Sequence, residues 1–262
     1  MKRVKLLWVA MLMLILPALQ SCDDGSGYSL GDIARDWATV RVVGGDTYAL
    51  NADHWGSLWP AATAIPGYRP IDGQRVITYF NPLYDNYGGY DHGVKVECNY
   101  DVLTKQIEDL TADNEAEIGN DPVLVYKDMM WIGGGYLNII FRQCLPAKEK
   151  HRFSLVRDTR NMTKDGDDGY IHLEYRYNTY GDVTKRCLNG AVSFNLNSLD
   201  LTGKKGIKVK LNSVENGEVE VVFDVKEQPI PEGAKNIELS NEVQVMSVSY
   251  THLRAHETEA DL

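Results

Sequence analysis

Apolar residues recur at every second position through most of this chain, and this period of two limits the fold more than any other feature of the sequence. In Arg35–Val43 the period places Ala38, Val40 and Val42 on one face, which is typical of a β-strand with one buried side. Two glycines and an aspartate then predict a turn, after which Thr47–Leu50 resumes an extended pattern. The further strands predicted in the first half are Gln74–Phe80, Gly93–Glu97 and Thr104–Leu110. Five short strands within about 80 residues predict a small barrel, since closing a sheet removes its exposed edges.

The second half of the chain keeps the same period and has no segment of helical period. The strands predicted there are Met130–Phe141, Arg152–Val156, Tyr170–Tyr177, Leu188–Phe194, Ile207–Leu211 and Glu218–Val225. Asn216 and Gly217 precede the last strand and are typical of a tight hairpin, because both tolerate positive φ. Seven or so antiparallel strands predict a β-sandwich, so the whole chain is expected to be all-β.

The composition changes at Leu110–Pro122, which is acidic and ends in turn-forming residues. A single helical turn beginning in Thr111–Glu115 is one interpretation, and a linker is the simpler one. We place the domain boundary here. The predicted organisation is a signal peptide at residues 1–21, an acidic tether at 22–31, an OB-like barrel at 32–112, a linker at 113–125, a β-sandwich at 126–248 and a tail at 249–262.

The first 22 residues have the parts of a lipoprotein signal peptide. Lys2, Arg3 and Lys5 form a positive end, and Leu6–Leu16 is an unbroken apolar run of eleven residues. At ~1.5 Å per residue, this run covers about half of a ~30 Å hydrocarbon layer, so it is too short to span it. The Leu-Gln-Ser-Cys sequence that ends at Cys22 resembles a lipobox, whereas ordinary cleavage wants a small residue where the leucine stands. We therefore predict lipidation of Cys22 and membrane anchoring through that lipid.

The residues that follow the anchor bear on location. Asp23 and Asp24 resemble signals for outer-membrane or surface display in some Gram-negative lipoproteins, and a solvated linker is the alternative. We expect a cell-envelope protein that is lipid-anchored to the outer membrane, with its body periplasmic or surface-exposed. Ser249–Leu262 resembles translated sequencing adaptor, with a short natural tail as the alternative, and it is left out of the predicted fold.

The charge of the body argues against one class of partner. Residues 1–21 hold three of the 27 Lys and Arg and none of the 37 Asp and Glu, so removing them leaves a net charge of −13. Phosphate backbones are recognised by clusters of Lys and Arg. We therefore expect no nucleic-acid partner.

Three cysteines remain in the body, so at most one internal disulfide can form. Cys144 and Cys187 are the favoured pair because both fall in the second predicted domain, and two buried free thiols are an equal alternative. Cys98 is left over. No Cys-x-x-Cys or Cys/His spacing predicts a metal or a redox cofactor, and we expect neither.

Five segments together carry a family resemblance. They are Ser57–Pro66, Asp72–Val76, Asp101–Lys105, Ile118–Pro122 and Trp131–Ile139. In order and spacing they resemble the NigD-like lipoproteins, over roughly residues 30 to 246. The resemblance implies an amino-terminal OB-like barrel, a carboxyl-terminal β-sandwich and a lipid tether. The family is named through association with a bacteriocin gene cluster, and it supplies no catalytic residues to carry over. This chain departs from the family in its three body cysteines and its adaptor-like tail.

The motifs that would indicate catalysis or metal binding are missing from the sequence. Gly133–Gly135 lacks the spacing and the following helix of a phosphate loop, so a strand bulge or tight turn is favoured. Asp165–Gly169 lacks the glycine and glutamate of an EF-hand and is interpreted as a hairpin tip. There is no Gly-x-Ser-x-Gly elbow and no His-Glu-x-x-His. We therefore predict no catalytic residues, no metal ligands and no enzymatic activity.

Aromatic residues are the remaining candidates for a binding site. OB barrels bind oligomeric ligands on one face and its adjoining loops, and aromatic rings bury large area with little loss of rotamer freedom. The candidate ligand-binding residues are Trp55, Tyr68, Tyr84, Tyr87 and Tyr90. The sequence favours the alternative that the aromatic rings fill the barrel core and plug its loops, above all Trp59 and Tyr79.

The predicted function is a non-enzymatic envelope lipoprotein that binds another envelope protein or a glycan. Two alternatives stay open: a hydrolase with an unrecognised site, and a purely structural component of the envelope.

Overall fold

A computed structural model describes residues 28–29, 31–160, 168–224, 226, 228–235 and 237–240. The predicted signal peptide, Cys22 and the adaptor-like tail lie outside these residues, as does most of the Asp165–Gly169 segment. The regular secondary structure of the described part is almost wholly β-strand, as the period of two predicts. Among its helices, none is long and apolar enough to cross a membrane.

The first five strands close into a barrel. They are β1 (Ala34–Gly44), β2 (Thr47–Ala52), β3 (Gly56–Thr63), β4 (Arg75–Tyr87) and β5 (Tyr90–Asp101), in the order β1-β2-β3-β5-β4. The pairing of β3 with β5 is parallel, and the other pairs are antiparallel. Alternate residues point into the barrel, so Val40, Leu50, Leu58 and Val94 are fully buried in its core.

One barrel strand differs from the prediction. The sequence contains no clear strand pattern at β3, because proline is disfavoured inside a sheet. In the structure Pro60 lies beside a bulge, where the β3–β5 register shifts before Ala62. The predicted barrel strand Thr104–Leu110 is wrong: the chain crosses at Ile107 and supplies one strand to each sheet of the second domain.

The second domain is a β-sandwich of two sheets. Its strands are β6 (Leu103–Gln106), β7 (Glu108–Leu110), β8 (Met130–Gly133), β9 (Tyr136–Cys144), β10 (Arg152–Asp158), β11 (Tyr170–Asn178), β12 (Cys187–Asn195), β13 (Gly206–Ser213) and β14 (Gly217–Asp224). The four-stranded sheet has the order β6-β12-β9-β8, and the five-stranded sheet has the order β14-β13-β11-β10-β7. Gly134 and Gly135, both at positive φ, form the tight turn between β8 and β9.

The segment predicted as a linker is more ordered than a linker. It contains the helical turn α1 (Glu115–Ile118). Ile118 is fully buried against Leu110 and Val156, so the turn covers the end of a sandwich sheet. The helical alternative for this region is therefore the better description.

A shared apolar core joins the two domains. Trp37 and Ile77 come from the barrel, and Trp131 and Ile140 from the sandwich. The Trp37 and Trp131 rings meet edge to face with centroids 4.9 Å apart. The segment 228–240, which contains α2 (Glu232–Lys235), adds Ile230 and Ala234 to the same core. Barrel, sandwich and carboxyl-terminal segment are thus packed on one another.

Candidate ligand-binding face of the barrel

Four aromatic rings lie in a row on the outer surface of the barrel. Tyr84 and Tyr87 are stacked with centroids 5.4 Å apart, and Trp59 lies 5.0 Å from Tyr90. We call these four residues the aromatic strip. Tyr84 is 55% exposed and Tyr87 38% exposed, while Trp59 and Tyr90 are half-buried. The strip is therefore preformed and accessible.

The strand register explains why these rings share one face. Tyr84 on β4 and Trp59 on β3 both pair with Gly93, which lies between them on β5. The neighbouring residues Leu58 and Val94 point into the core, so alternation turns Trp59 and Gly93 outward. Since strands are ~4.8 Å apart, β4 and β3 lie roughly 10 Å apart and the row crosses about that width.

Gly93 provides the space for the strip. A Cβ atom at this position would come within 2.7 Å of the Tyr87 ring, so Tyr87 lies directly over the glycine backbone. Glycine inside a strand often marks such a close approach. Asn86, Gly88 and Gly89 adopt positive φ and form the tight connection that brings Tyr87 opposite Tyr90.

A cavity of about 430 Å³ adjoins the strip and shares Trp59 with it. The cavity is lined by Asp46, Thr47, Tyr48, Trp59, Pro60, Thr63, Ile65, Pro66, Gly67, Tyr68 and Arg69. The Tyr48 and Tyr68 rings lie 5.3 Å apart, and the Tyr68 hydroxyl donates to Asp101 at 3.1 Å. Burial, reinforced by the Asp101 carboxylate, raises the pKa of Tyr68 well above its usual value. Tyr68 therefore stays a neutral hydrogen-bonding group.

The Asp91 carboxylate borders the strip. Asp91 accepts hydrogen bonds from the backbone N–H and the hydroxyl of Ser57, both at 2.7 Å, and the backbone bond is the main cause that lowers the pKa of Asp91. Asp85 follows Tyr84 in sequence, but its carboxylate accepts from the Tyr28 hydroxyl and lies 2.8 Å from His92 Nδ1, and both of these rings pack on Trp55 rather than on the strip. This border is acidic and can accept hydrogen bonds from hydroxyl groups, but it does not suit a phosphate backbone.

The structure divides the five predicted candidates among three places. Tyr84, Tyr87 and Tyr90 lie in the strip, and Tyr68 lies in the adjoining cavity. Trp55 is elsewhere, with its ring 5.3 Å from the core residue Phe80 and facing a second cavity. Trp59 belongs to the strip, although the sequence favoured the core for it.

The cysteines of the sandwich lie opposite each other. Cys144 on β9 pairs in register with Cys187 on β12, and their sulfur atoms are bonded. The bond closes a sequence separation of 43 residues across the four-stranded sheet. Cys98 is a free, half-buried thiol in the barrel.

Two buried cations of the sandwich, Lys105 and Arg152, have structural partners. Burial lowers the pKa of Lys105, whose Nζ donates to the Phe153 carbonyl inside the sandwich at 2.5 Å. Arg152 pairs with Glu108 and Glu117 at the same place. None of these residues lines either cavity. Among the described residues, no group of three or more His, Cys, Asp or Glu is placed to hold a metal ion.

Comparison with known proteins finds matches along both domains. Residues 37–106 match the NigD-like N-terminal OB domain, and residues 106–225 match the NigD-like C-terminal beta sandwich domain. No protein with curated function matches the chain.

Solved structures from Parabacteroides and Bacteroides species share this architecture. A protein from Parabacteroides distasonis, described as toxin related, is 33% identical, with 82% of this chain and 97% of that chain covered and a TM-score of 0.64. A protein of unknown function from Bacteroides vulgatus is 28% identical, with 82% and 100% covered and a TM-score of 0.65. A NigD-like immunity protein from Bacteroides caccae is 18% identical, with 76% and 100% covered and a TM-score of 0.55, and this last likeness concerns the fold alone.

Proposed function

This chain belongs to the NigD-like family, and on that premise we propose that it is a non-enzymatic lipoprotein of the cell envelope whose barrel binds a glycan. The aromatic strip is the observation that carries the proposal. Sugars present flat apolar faces beside their hydroxyl groups, so partly exposed rings in a row suit stacking against them. The OB fold binds oligosaccharides on one barrel face and its adjoining loops, and the strip lies on such a surface.

The surroundings of the strip favour a glycan over a protein. Asp91 accepts hydrogen bonds at its border, and the cavity beside Trp59 gives a chain end a place to enter. A stable protein interface buries at least ~1,000 Å² and has an apolar centre, which four rings beside a carboxylate do not supply. The relatives described as toxin related or as an immunity protein make a protein partner the second outcome to test.

Lipidation of Cys22 completes the proposal. The apolar leader and the lipobox-like sequence support it, and two or three acyl chains together give stable anchoring. The leader, the lipobox-like sequence and the acidic residues after Cys22 together support anchoring in the outer membrane. The body of the protein then faces either the periplasm or the cell surface. Replacement of Cys22 with serine is expected to release the protein from the membrane fraction. An impermeant label on intact cells then distinguishes the two faces of that membrane.

Binding is tested with polysaccharide released from cell envelopes and the processed protein in detergent. We expect the double substitution Tyr84→Ala and Tyr87→Ala to weaken binding about 10-fold, since each aromatic stack contributes ~0.5–1.5 kcal/mol. Tyr126→Ala is the matched control, because Tyr126 is equally exposed but lies in the sandwich half. The proposal is contradicted if the double tyrosine variant binds as well as Tyr126→Ala. Capture of a single envelope protein would show that the ligand is a protein rather than a glycan. Release of reducing ends from the polysaccharide identifies a hydrolase.

A further inference from the structure

A second cavity, of about 300 Å³, lies between the barrel and the carboxyl-terminal segment. It is lined by Arg35, Asp36, Trp37, His54, Trp55, Ile230 and Lys235. It shares no residue with the aromatic strip. Its volume is at the lower end of the range for small-molecule sites. Two indole rings and an isoleucine form apolar walls, and a guanidinium and an ammonium group supply positive charge.

Two hydrogen-bond donors at this cavity are buried and unsatisfied. Arg35 Nε and Trp37 Nε1 have no partner in the described part of the chain. Trp37 is only 1% exposed, so its N–H is out of reach of bulk water. A buried donor without a partner costs ~1–3 kcal/mol, and native proteins rarely leave one without a reason. Both donors belong to residues on the outer face of β1, two positions apart.

The Arg35 guanidinium is available for an anion. It lies over the Tyr79 ring at 5.8 Å, and within the described residues no carboxylate forms an ion pair with it. The nearby Asp36 is engaged elsewhere. Its carboxylate accepts the backbone N–H groups of Trp37, His54 and Trp55 and lies 3.0 Å from His54 Nδ1. Lys235 pairs with Glu232 at the exposed rim.

We propose that this cavity binds a small carboxylate whose body is flat and apolar. Guanidinium and carboxylate are both planar, and they form paired, charge-assisted hydrogen bonds. The walls formed by Trp37, Trp55 and Ile230 suit an aromatic or aliphatic body of limited size. Because Ile230 and Lys235 come from the carboxyl-terminal segment, the ligand bridges that segment and the barrel.

The test is calorimetric titration of the full chain with N-acetylphenylalanine and with its neutral amide. The two probes share the same body and nearly the same shape, but only the acid carries a charge and two acceptor oxygens, so we expect it to bind at least about 10-fold more tightly than the amide. Arg35→Gln is expected to weaken acid binding to the level of the amide. Arg41→Gln is the matched control, because Arg41 lies on the same strand but is exposed and outside the cavity. This variant is expected to bind like the parent.

Several results overturn the assignment. Equal affinity for the acid and the amide would show that the ligand carboxylate does not contribute to binding. Unchanged binding by Arg35→Gln would show that the Arg35 guanidinium does not contribute. Tight binding of inorganic phosphate, without binding of the acid, would assign the cavity to phosphate rather than to a carboxylate. The urea midpoint of Arg35→Gln shows whether the variant folds, and if it does not, the comparison of acid and amide on the parent protein still decides. The double substitution Tyr84→Ala and Tyr87→Ala leaves this binding unchanged, so failure here is separate from failure of the glycan site.

Discussion

Replacing Arg75 with methionine removes the cation of a buried ion pair at the junction of the two domains. Arg75 is fully buried, and its guanidinium donates to both oxygens of Asp53 at 2.8 and 2.7 Å and to the Thr39 hydroxyl at 3.1 Å. It also lies 5.3 Å from the Tyr136 ring of the sandwich, whose hydroxyl donates to the Gly73 carbonyl of the barrel. The side chain therefore contacts both domains.

The expected cost follows from what the substitution leaves behind. Removing one partner of a buried ion pair typically costs ~3–5 kcal/mol, because the charge that stays buried loses its counter-ion. The Asp53 side chain is only 7% exposed, so water replaces little of the lost interaction. We expect Arg75→Met to lower the free energy of unfolding by about 3–5 kcal/mol. The double substitution Arg75→Met and Asp53→Leu removes both charges and is expected to cost much less.

Urea denaturation followed by tryptophan fluorescence and circular dichroism measures both variants. Trp37 and Trp131 lie in the shared core, so part of the fluorescence change reports on the junction, while Trp55 and Trp59 report on the barrel and circular dichroism reports on all strands. Coincident transitions indicate that barrel and sandwich unfold together. The buried Asp53 carboxylate is expected to need its guanidinium partner. This expectation is refuted if Arg75→Met lowers the free energy of unfolding by less than about 1 kcal/mol, or if the double variant is less stable than the single one.

Three further predictions concern other parts of the molecule. Replacing Cys144 and Cys187 together with serine is expected to lower the free energy of unfolding by about 2–4 kcal/mol, because the bond closes a loop of 43 residues; a urea midpoint insensitive to reductant in the parent protein contradicts this. Backbone N–H groups of residues 149 and 148 lower the pKa of Asp182, so its ionised carboxylate stabilises the fold above the unfolded-state pKa. This stabilisation is lost as the pH falls below about 4. We expect the urea midpoint to drop in that range, and to drop less in Asp182→Asn. Gly134→Ala is expected to cost about 1–3 kcal/mol by thermal or urea unfolding, because its Cβ would come within 2.5 Å of the buried guanidinium; Gly45→Ala, with similar φ and open space, isolates the backbone strain alone.

The barrel could be predicted from sequence where alternation is strong. In β1, Ala38 and Val40 face the core, as the period of two indicates. Strand β3 could not be recognised, because Pro60 breaks the pattern and the bulge that accommodates it depends on the partner strand. The Thr104–Leu110 segment does form strands, but a local pattern does not say which sheet a strand joins. Its crossing at Ile107 is set by packing between the sheets.

The candidate site was predictable in part. Tyr84, Tyr87 and Tyr90 stand out because they cluster in sequence around one hairpin. Trp59 joins them only through the parallel pairing of β3 with β5, which sequence spacing does not reveal. One signal was present: a glycine, Gly93, begins a predicted strand, and in the structure it lies inside β5 directly under the Tyr87 ring.

The second cavity and the domain junction left less trace in the sequence. Arg75 opens an apolar strand, and nothing local identifies Asp53 as its partner, since the two are brought together by the closing of the barrel. Arg35 likewise looks like an ordinary polar residue of an alternating strand. Its unpaired donor becomes visible only when the carboxyl-terminal segment is seen to cover that face.

Tyrosine-ring chemical shifts during a glycan titration test the central claim most directly. With rings labelled by ¹³C and envelope polysaccharide added, the signals of Tyr84, Tyr87 and Tyr90 are predicted to move together along one saturating curve. The signal of Tyr126, exposed in the sandwich half, is predicted to stay in place. Shifts confined to tyrosines of the sandwich, or saturation with the three strip signals unmoved, would contradict the assignment of the aromatic strip as the binding face.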